Sequence, residues 1–168
     1  MIVVTDSTVL IGLAKIEKLD LLRKIFSKVY IPQEVFKEVV EKGKGKPGSQ
    51  LVKEAPWIET KPIVDKVQVY FLMASLEKGE AEVLSLAKEM KADLILLDEE
   101  KARKSAIIAG FEVIGLLGLF IVAKNLGLLK EVRSSIEELK TKRFRISDKI
   151  VAETLRAAGE KPIDVKSV

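Results

Sequence analysis

Short, wholly apolar runs alternate along the chain with longer mixed stretches. Ile2-Val3-Val4-Thr5 is β-branched and apolar and stops at Asp6, which predicts a buried strand. Residues 9–16 predict a helix with Ser7 or Thr8 as its cap, and residues 19–26 predict a second. Val29-Tyr30-Ile31 is the next strand. Pro32 then opens a helix to about residue 42, at a position where its missing N–H costs nothing. Residues 43–49, with Pro47 among three glycines, read as a loop, and residues 55–62 hold a short strand around Trp57. Helices are predicted at 64–76 and 80–90, broken near Gly79. Leu94-Ile95-Leu96-Leu97 is a strand ending at Asp98, residues 99–109 form a helix closed by Gly110, and residues 111–114 are a last strand. Three helices follow, at 116–125, 130–142 and 147–158. The tail, 159–168, reads as loose.

The strands are continuously apolar rather than alternating, the mark of a parallel sheet covered on both faces. The expected fold is therefore α/β, a three-layer sandwich around a central parallel sheet. One domain is expected over residues 1–158, with a helical C-terminal extension from about residue 116. The longest apolar run, 113–123, falls short of the 18 or more residues of a membrane helix. The chain reaches Asp6 too soon for a signal-peptide core, so a cytoplasmic protein is expected. Residues 114–123 are apolar nearly all round, which predicts one side on the sheet and the other on a second copy or a partner.

Composition narrows the chemistry. The 168 residues include no cysteine and no histidine. Disulfides, thiolate nucleophiles, Cys/His zinc sites and every His-dependent triad are thereby excluded. Any metal must be held by oxygen. The charge of +4, from 29 basic and 25 acidic residues, permits nucleic-acid binding without demanding it. Aromatics at 5% weaken a stacking-based readout of single strands. One Asn and three Gln amid abundant Lys and Glu is a bias familiar from thermophiles.

Two predicted strands end in an acid, Asp6 and Asp98, where a doubly wound sheet opens its crevice. Such acids also serve as helix N-caps, but neighbouring parallel strands would bring these two together. Gly79-Glu80-Ala81-Glu82 opens a helix, where Glu also favours the dipole. Glu34, Glu38 and Glu41 lie on the helix begun by Pro32, and helical periodicity does not single out Glu38.

Together these residues resemble the PIN-domain ribonuclease family. The resemblance is carried by Val4-Thr5-Asp6-Ser7-Thr8-Val9-Leu10-Ile11 and by Ile31-Pro32-Gln33-Glu34-Val35-Phe36-Lys37-Glu38. It continues in Gly79-Glu80-Ala81-Glu82-Val83-Leu84-Ser85-Leu86-Ala87 and Leu94-Ile95-Leu96-Leu97-Asp98-Glu99-Glu100-Lys101-Ala102-Arg103. It implies that Asp6, Glu38, Glu80 and Asp98 are the catalytic acids and metal ligands, with Glu82 or Glu99 able to share the third acid's task. Ser7 or Thr8 would orient the first carboxylate. The chain is similar to a longer subgroup that keeps Arg145-Ile146-Ser147-Asp148 before a final helix.

The chemistry implied is metal-dependent hydrolysis of single-stranded RNA. Four converging carboxylates repel one another and stay ionised when Mg²⁺ or Mn²⁺ neutralises them. Such a cation acidifies water and offsets charge on phosphoryl oxygens, which serves phosphodiester cleavage without His or Cys. RNA then needs basic flanks. Lys42, Lys44 and Lys46 supply one, Lys101 and Arg103 a second, and Lys142, Arg143 and Arg145 a third, unless these are ordinary surface charge. The resemblance further implies a toxin's role, an antitoxin protein as partner, and a homodimer. A non-catalytic PIN-like module that binds RNA or protein is the alternative, and a phosphatase-type metal hydrolase another. Residues 43–49 do not make a phosphate loop, because no Lys follows Gly48 and no strand precedes it.

Overall fold

The computed structural model describes residues 1–162. The elements are β1 (Val3–Thr5), α1 (Ser7–Lys15), α2 (Asp20–Phe26), β2 (Val29–Pro32), α3 (Gln33–Phe36) running into a π-helical turn (Lys37–Glu41), α4 (Pro47–Glu54), β3 (Ile58–Lys61), α5 (Lys66–Leu72), α6 (Lys78–Met90), β4 (Leu94–Leu96), α7 (Glu100–Ile108), β5 (Val113–Ile114), α8 (Leu116–Asn125), α9 (Arg133–Thr141) and α10 (Asp148–Ala157). All five strands are parallel, in the order β3-β2-β1-β4-β5. Val3, Val4 and Thr5 are all fully buried. Successive strand residues point to opposite faces, so both faces of the sheet are covered. The α/β sandwich expected from the apolar strands is the observed fold.

The order of strands fixes where a site can form. The chain leaves β1 toward β2 and β3, then returns to lay β4 on the other side of β1, with Thr5 opposite Leu96. The connections diverge between β1 and β4, and a crevice opens at their carboxyl ends. Asp6 and Asp98 sit one and two residues beyond those ends.

Several boundaries differ from expectation. The stretch 43–49 is not all loop: Pro47 is the first residue of α4, where a proline needs no N–H partner. Ser49 anchors that helix by donating to the Val40 carbonyl at 2.7 Å. Gly79 does not break a helix but lies in the first turn of α6, and the interruption falls between Leu72 and Lys78. The cap of α1 is Asp6, which accepts from the Val9 N–H at 2.8 Å, not Ser7 or Thr8.

The chain divides into two compact units, one of residues 1–116 and one beginning at Leu117. In the second, Leu119, Phe120, Ala123, Ile136 and Leu139 are fully buried. Residues of the 114–123 run are buried or half-buried. The exposed large apolar side chains include Val67, Tyr70 and Phe71 of α5.

Part of the segment expected to be loose is tied down. The Glu160 carboxylate accepts from the N–H groups of Val132 (2.6 Å) and Arg133 (3.0 Å) and pairs with Lys124 at 2.8 Å. It caps α9, whose own N-cap side chain makes no hydrogen bond. Burial pushes this carboxyl's pKa up, but Lys124 and the two N–H groups outweigh it and hold the pKa below the usual value. Residues 163–168 lie outside the described residues. Glu160→Ala leaves two helix N–H groups and an ammonium without their acceptor. It should lower stability by about 1–3 kcal/mol, read from the urea midpoint, and Glu160→Gln should lose less.

Candidate active site

Asp6 is the centre of the crevice. Its side chain is 4% exposed, and both oxygens are engaged by backbone: Oδ1 by the Val9 N–H at 2.8 Å and Oδ2 by the Asp98 N–H at 3.1 Å. One carboxylate thus starts α1 and joins it to the end of β4. Ser7 and Thr8 line the same crevice, but backbone N–H groups, not these hydroxyls, orient the carboxylate.

Asp98 does not cap α7. Glu99 does, accepting from the Ala102 N–H at 2.7 Å. Asp98 Oδ1 instead accepts from the Leu116 N–H at 3.0 Å. A side chain at Gly115 would meet this oxygen and the Arg103 guanidinium, so the glycine lets both approach. Asp98 thus bonds the first N–H of α8 rather than capping α7, whose cap is Glu99, which was offered as a ligand.

Glu80 stands in a reciprocal capping box: it accepts from the Glu77 N–H at 3.1 Å while Glu77 accepts from the Glu80 N–H. Glu38 lies over the same turn. A Cβ added at Gly79 would come within 2.5 Å of Glu38 Oε1, so this glycine makes room for that carboxylate. Glu38 belongs to the π turn, closed by the Lys42 N–H to Lys37 carbonyl bond at 2.8 Å. A π turn takes one more residue than an α turn and re-aims its side chains, which is why α periodicity did not single out Glu38. Asp6, Ser7, Thr8, Glu38, Glu77, Gly79 and Glu80 line a cleft of about 190 Å³. Glu77 was missed in the sequence; its signal was the Glu77-Lys78-Gly79-Glu80 spacing of a capping box.

Glu82 is drawn away. Its Oε2 accepts from the Glu34 N–H at 3.0 Å, at the start of α3. Glu34 itself is paired with Lys78 at 3.2 Å and Lys42 at 3.6 Å. Burial pushes the Glu34 carboxyl's pKa up, but these lysines outweigh it and hold the pKa below normal.

The four remaining acids lack a lysine partner among the described residues, and the Arg103 guanidinium stands beside Asp98. None of the ion pairs among the described residues involves Asp6, Glu38, Glu80 or Asp98. Burial pushes Asp6 from 3.8 up to about 7, against its two N–H bonds and with help from the charges on Asp98 and Glu80. Burial likewise raises Glu80, and Glu99, Glu77 and Glu38 add to it. An all-oxygen donor set short of positive charge fits a hard divalent cation. Among the described residues no three acids are close enough to hold an ion as they stand, so holding one requires side chains to move.

A family model described as a PIN domain matches residues 2–160. The chain belongs to the PIN-domain family. No curated protein matches it. PIN domains are generally nucleases that use divalent metal ions. Of the basic candidates, Lys44, Lys46 and Lys101 are exposed and Lys42 is spent on Glu34, while Arg103 is half-buried beside Asp98. Lys142, Arg143 and Arg145 are exposed in the second unit. Among the described residues no helix is long and apolar enough to cross a membrane.

Two outcomes are expected. Asp6 is protonated more readily in the folded chain than in the unfolded one, so its contribution to stability falls as pH rises. The penalty is absent below pH 3.8, grows toward pH 7 and is complete above it, at a few kcal/mol. Metal-free melting temperatures should therefore drop between pH 5 and pH 7.5 by more in the parent than in Asp6→Asn. Gly79→Ala should shift stability by less than about 1 kcal/mol, because it gains helix propensity and displaces only the end of a flexible side chain. It should nonetheless push Glu38 aside and weaken the thermal response to Mn²⁺.

Proposed function

We propose that this PIN domain is a metal-dependent endoribonuclease that hydrolyses phosphodiester bonds in single-stranded RNA. The observation that carries the reading is the segregation of charge. Glu34, outside the crevice, is paired with lysines, whereas Asp6, Glu38, Glu80 and Asp98 make no ion pair among the described residues. Asp6, Glu38, Glu80 and Asp98 would hold Mg²⁺ or Mn²⁺ once their side chains converge. The ion supplies Lewis acidity, which offsets charge on phosphoryl oxygens and acidifies water. The backbone N–H groups of Val9, Asp98 and Leu116 hold the two aspartates in fixed orientation. Glu38 and Glu80 keep one free lone pair or more each and can take a proton from an attacking water. Exposed Lys101 offsets the repulsion between acids and RNA phosphates. The toxin's role rests on the resemblance alone.

Asp98→Asn tests the reading. Asn retains an oxygen for the Leu116 N–H and removes one repelling charge, so the metal-free variant should be at least as stable as the parent. Mn²⁺ at a hundredfold excess over its dissociation constant should stabilise the parent by about 2.7 kcal/mol and the variant far less. Cleavage of an unstructured RNA should fall by orders of magnitude, while a generic phosphomonoester is cut by neither. An equal metal-induced shift in both proteins would remove Asp98 from the site.

A further inference from the structure

We infer that the outer face of α5 is a stacking platform for bases of the strand whose phosphate enters the acidic cleft. The inference rests on the nuclease reading. Helix α5 is apolar on two sides. Val69 is buried on the inner side, while Val67, Tyr70 and Phe71 are 63%, 73% and 78% exposed on the outer one. Tyr70 and Phe71 are the only exposed aromatic side chains among the described residues. The few aromatics of this chain are thus not spread over its surface, and two of them stand side by side.

Their position connects them to the site. A hydrogen-bonded turn continues α5, with the Met73 N–H on the Val69 carbonyl at 2.9 Å and the Ala74 N–H on the Phe71 carbonyl at 3.2 Å. Residues three and four apart share a helical face, so Tyr70 shares its face with Met73 and Ala74. Those two residues wall an open cleft of about 460 Å³, together with Glu77, Glu80, Glu99 and Lys101. Glu77 and Glu80 also line the cleft around Asp6. The aromatic face, the thioether of Met73 and the Lys101 ammonium therefore form one track that ends at the acids. Aromatic faces beside a cation suit a single strand, whose bases are free to stack and whose phosphates seek charge. A duplex hides its base faces from such a surface. The exposed Ile107 and Ile108 on α7 offer no ring to a base and do not extend the platform.

Leucine separates stacking from plain apolar contact, since it keeps the apolar area and removes the ring. Tyr70→Leu and Phe71→Leu should each raise the KM for an unstructured RNA about tenfold or more, with kcat little changed. Phe71→Trp should restore it. Fluorescence anisotropy on the same RNA reads binding without cleavage. An RNA with abasic positions beside the cut should bind the parent as weakly as the intact RNA binds the Leu variants. The metal-induced melting shift, measured without RNA, should be equal in all of them. Leu variants that bind and cut like the parent would overturn the platform and leave the nuclease reading standing. So would light scattering in which Phe71→Ala converts a dimer to a monomer, because the face would then belong to a second copy. A parent that binds the intact RNA through Tyr70 and Phe71 yet cuts nothing would support the platform and sink the nuclease.

Discussion

A carboxylate buried without a counter-charge sets the terms for the rest of the molecule. Asp6 sits at the end of the central strand, almost wholly out of water, and is held by two N–H groups from different elements. Those bonds start α1 and fasten the end of β4 to β1. They also keep in place a group that burial would otherwise neutralise. The fold thus gains a structural joint from the same atoms that leave a negative charge wanting a partner.

The surrounding acids differ in how they are satisfied. Glu34, Glu82 and Glu99 are absorbed by lysines or helix N-termini. Glu38 and Glu80 face Asp6 over a glycine with no cation between them. Position along the chain does not distinguish these groups, since Glu80 and Glu82 are two residues apart and Glu34 and Glu38 share a helical segment. Their partners do: lysines take Glu34, and the Glu34 N–H draws Glu82 away from Glu80.

Much of this was legible beforehand. Apolar strands such as Val3–Thr5 and Leu94–Leu96 named the parallel sheet, because only a doubly covered sheet tolerates such runs. The pairing of Asp6 with Asp98 followed from two strands that end in acids. What was hidden lay where one residue type has two uses. Pro47 punctuates a loop and equally opens a helix, and Gly79 breaks a helix and equally makes room for a carboxylate. The π turn was invisible because its period is not the one an apolar pattern reports. Glu99 took the cap that Asp98 was suspected of filling, and only the Leu116 N–H shows why Asp98 was free to point elsewhere.

The strand order also dictates when the crevice comes into being. The N–H that fixes the second oxygen of Asp6 is synthesised 92 residues after it. Closing so long a loop carries a large entropic cost and is deferred until β4 can pair with β1. A nascent chain short of β4 already carries Glu38, Glu77 and Glu80 but lacks Asp98 and the N–H that fixes the second oxygen of Asp6. Completion of the acidic centre therefore waits on the pairing of β4 with β1.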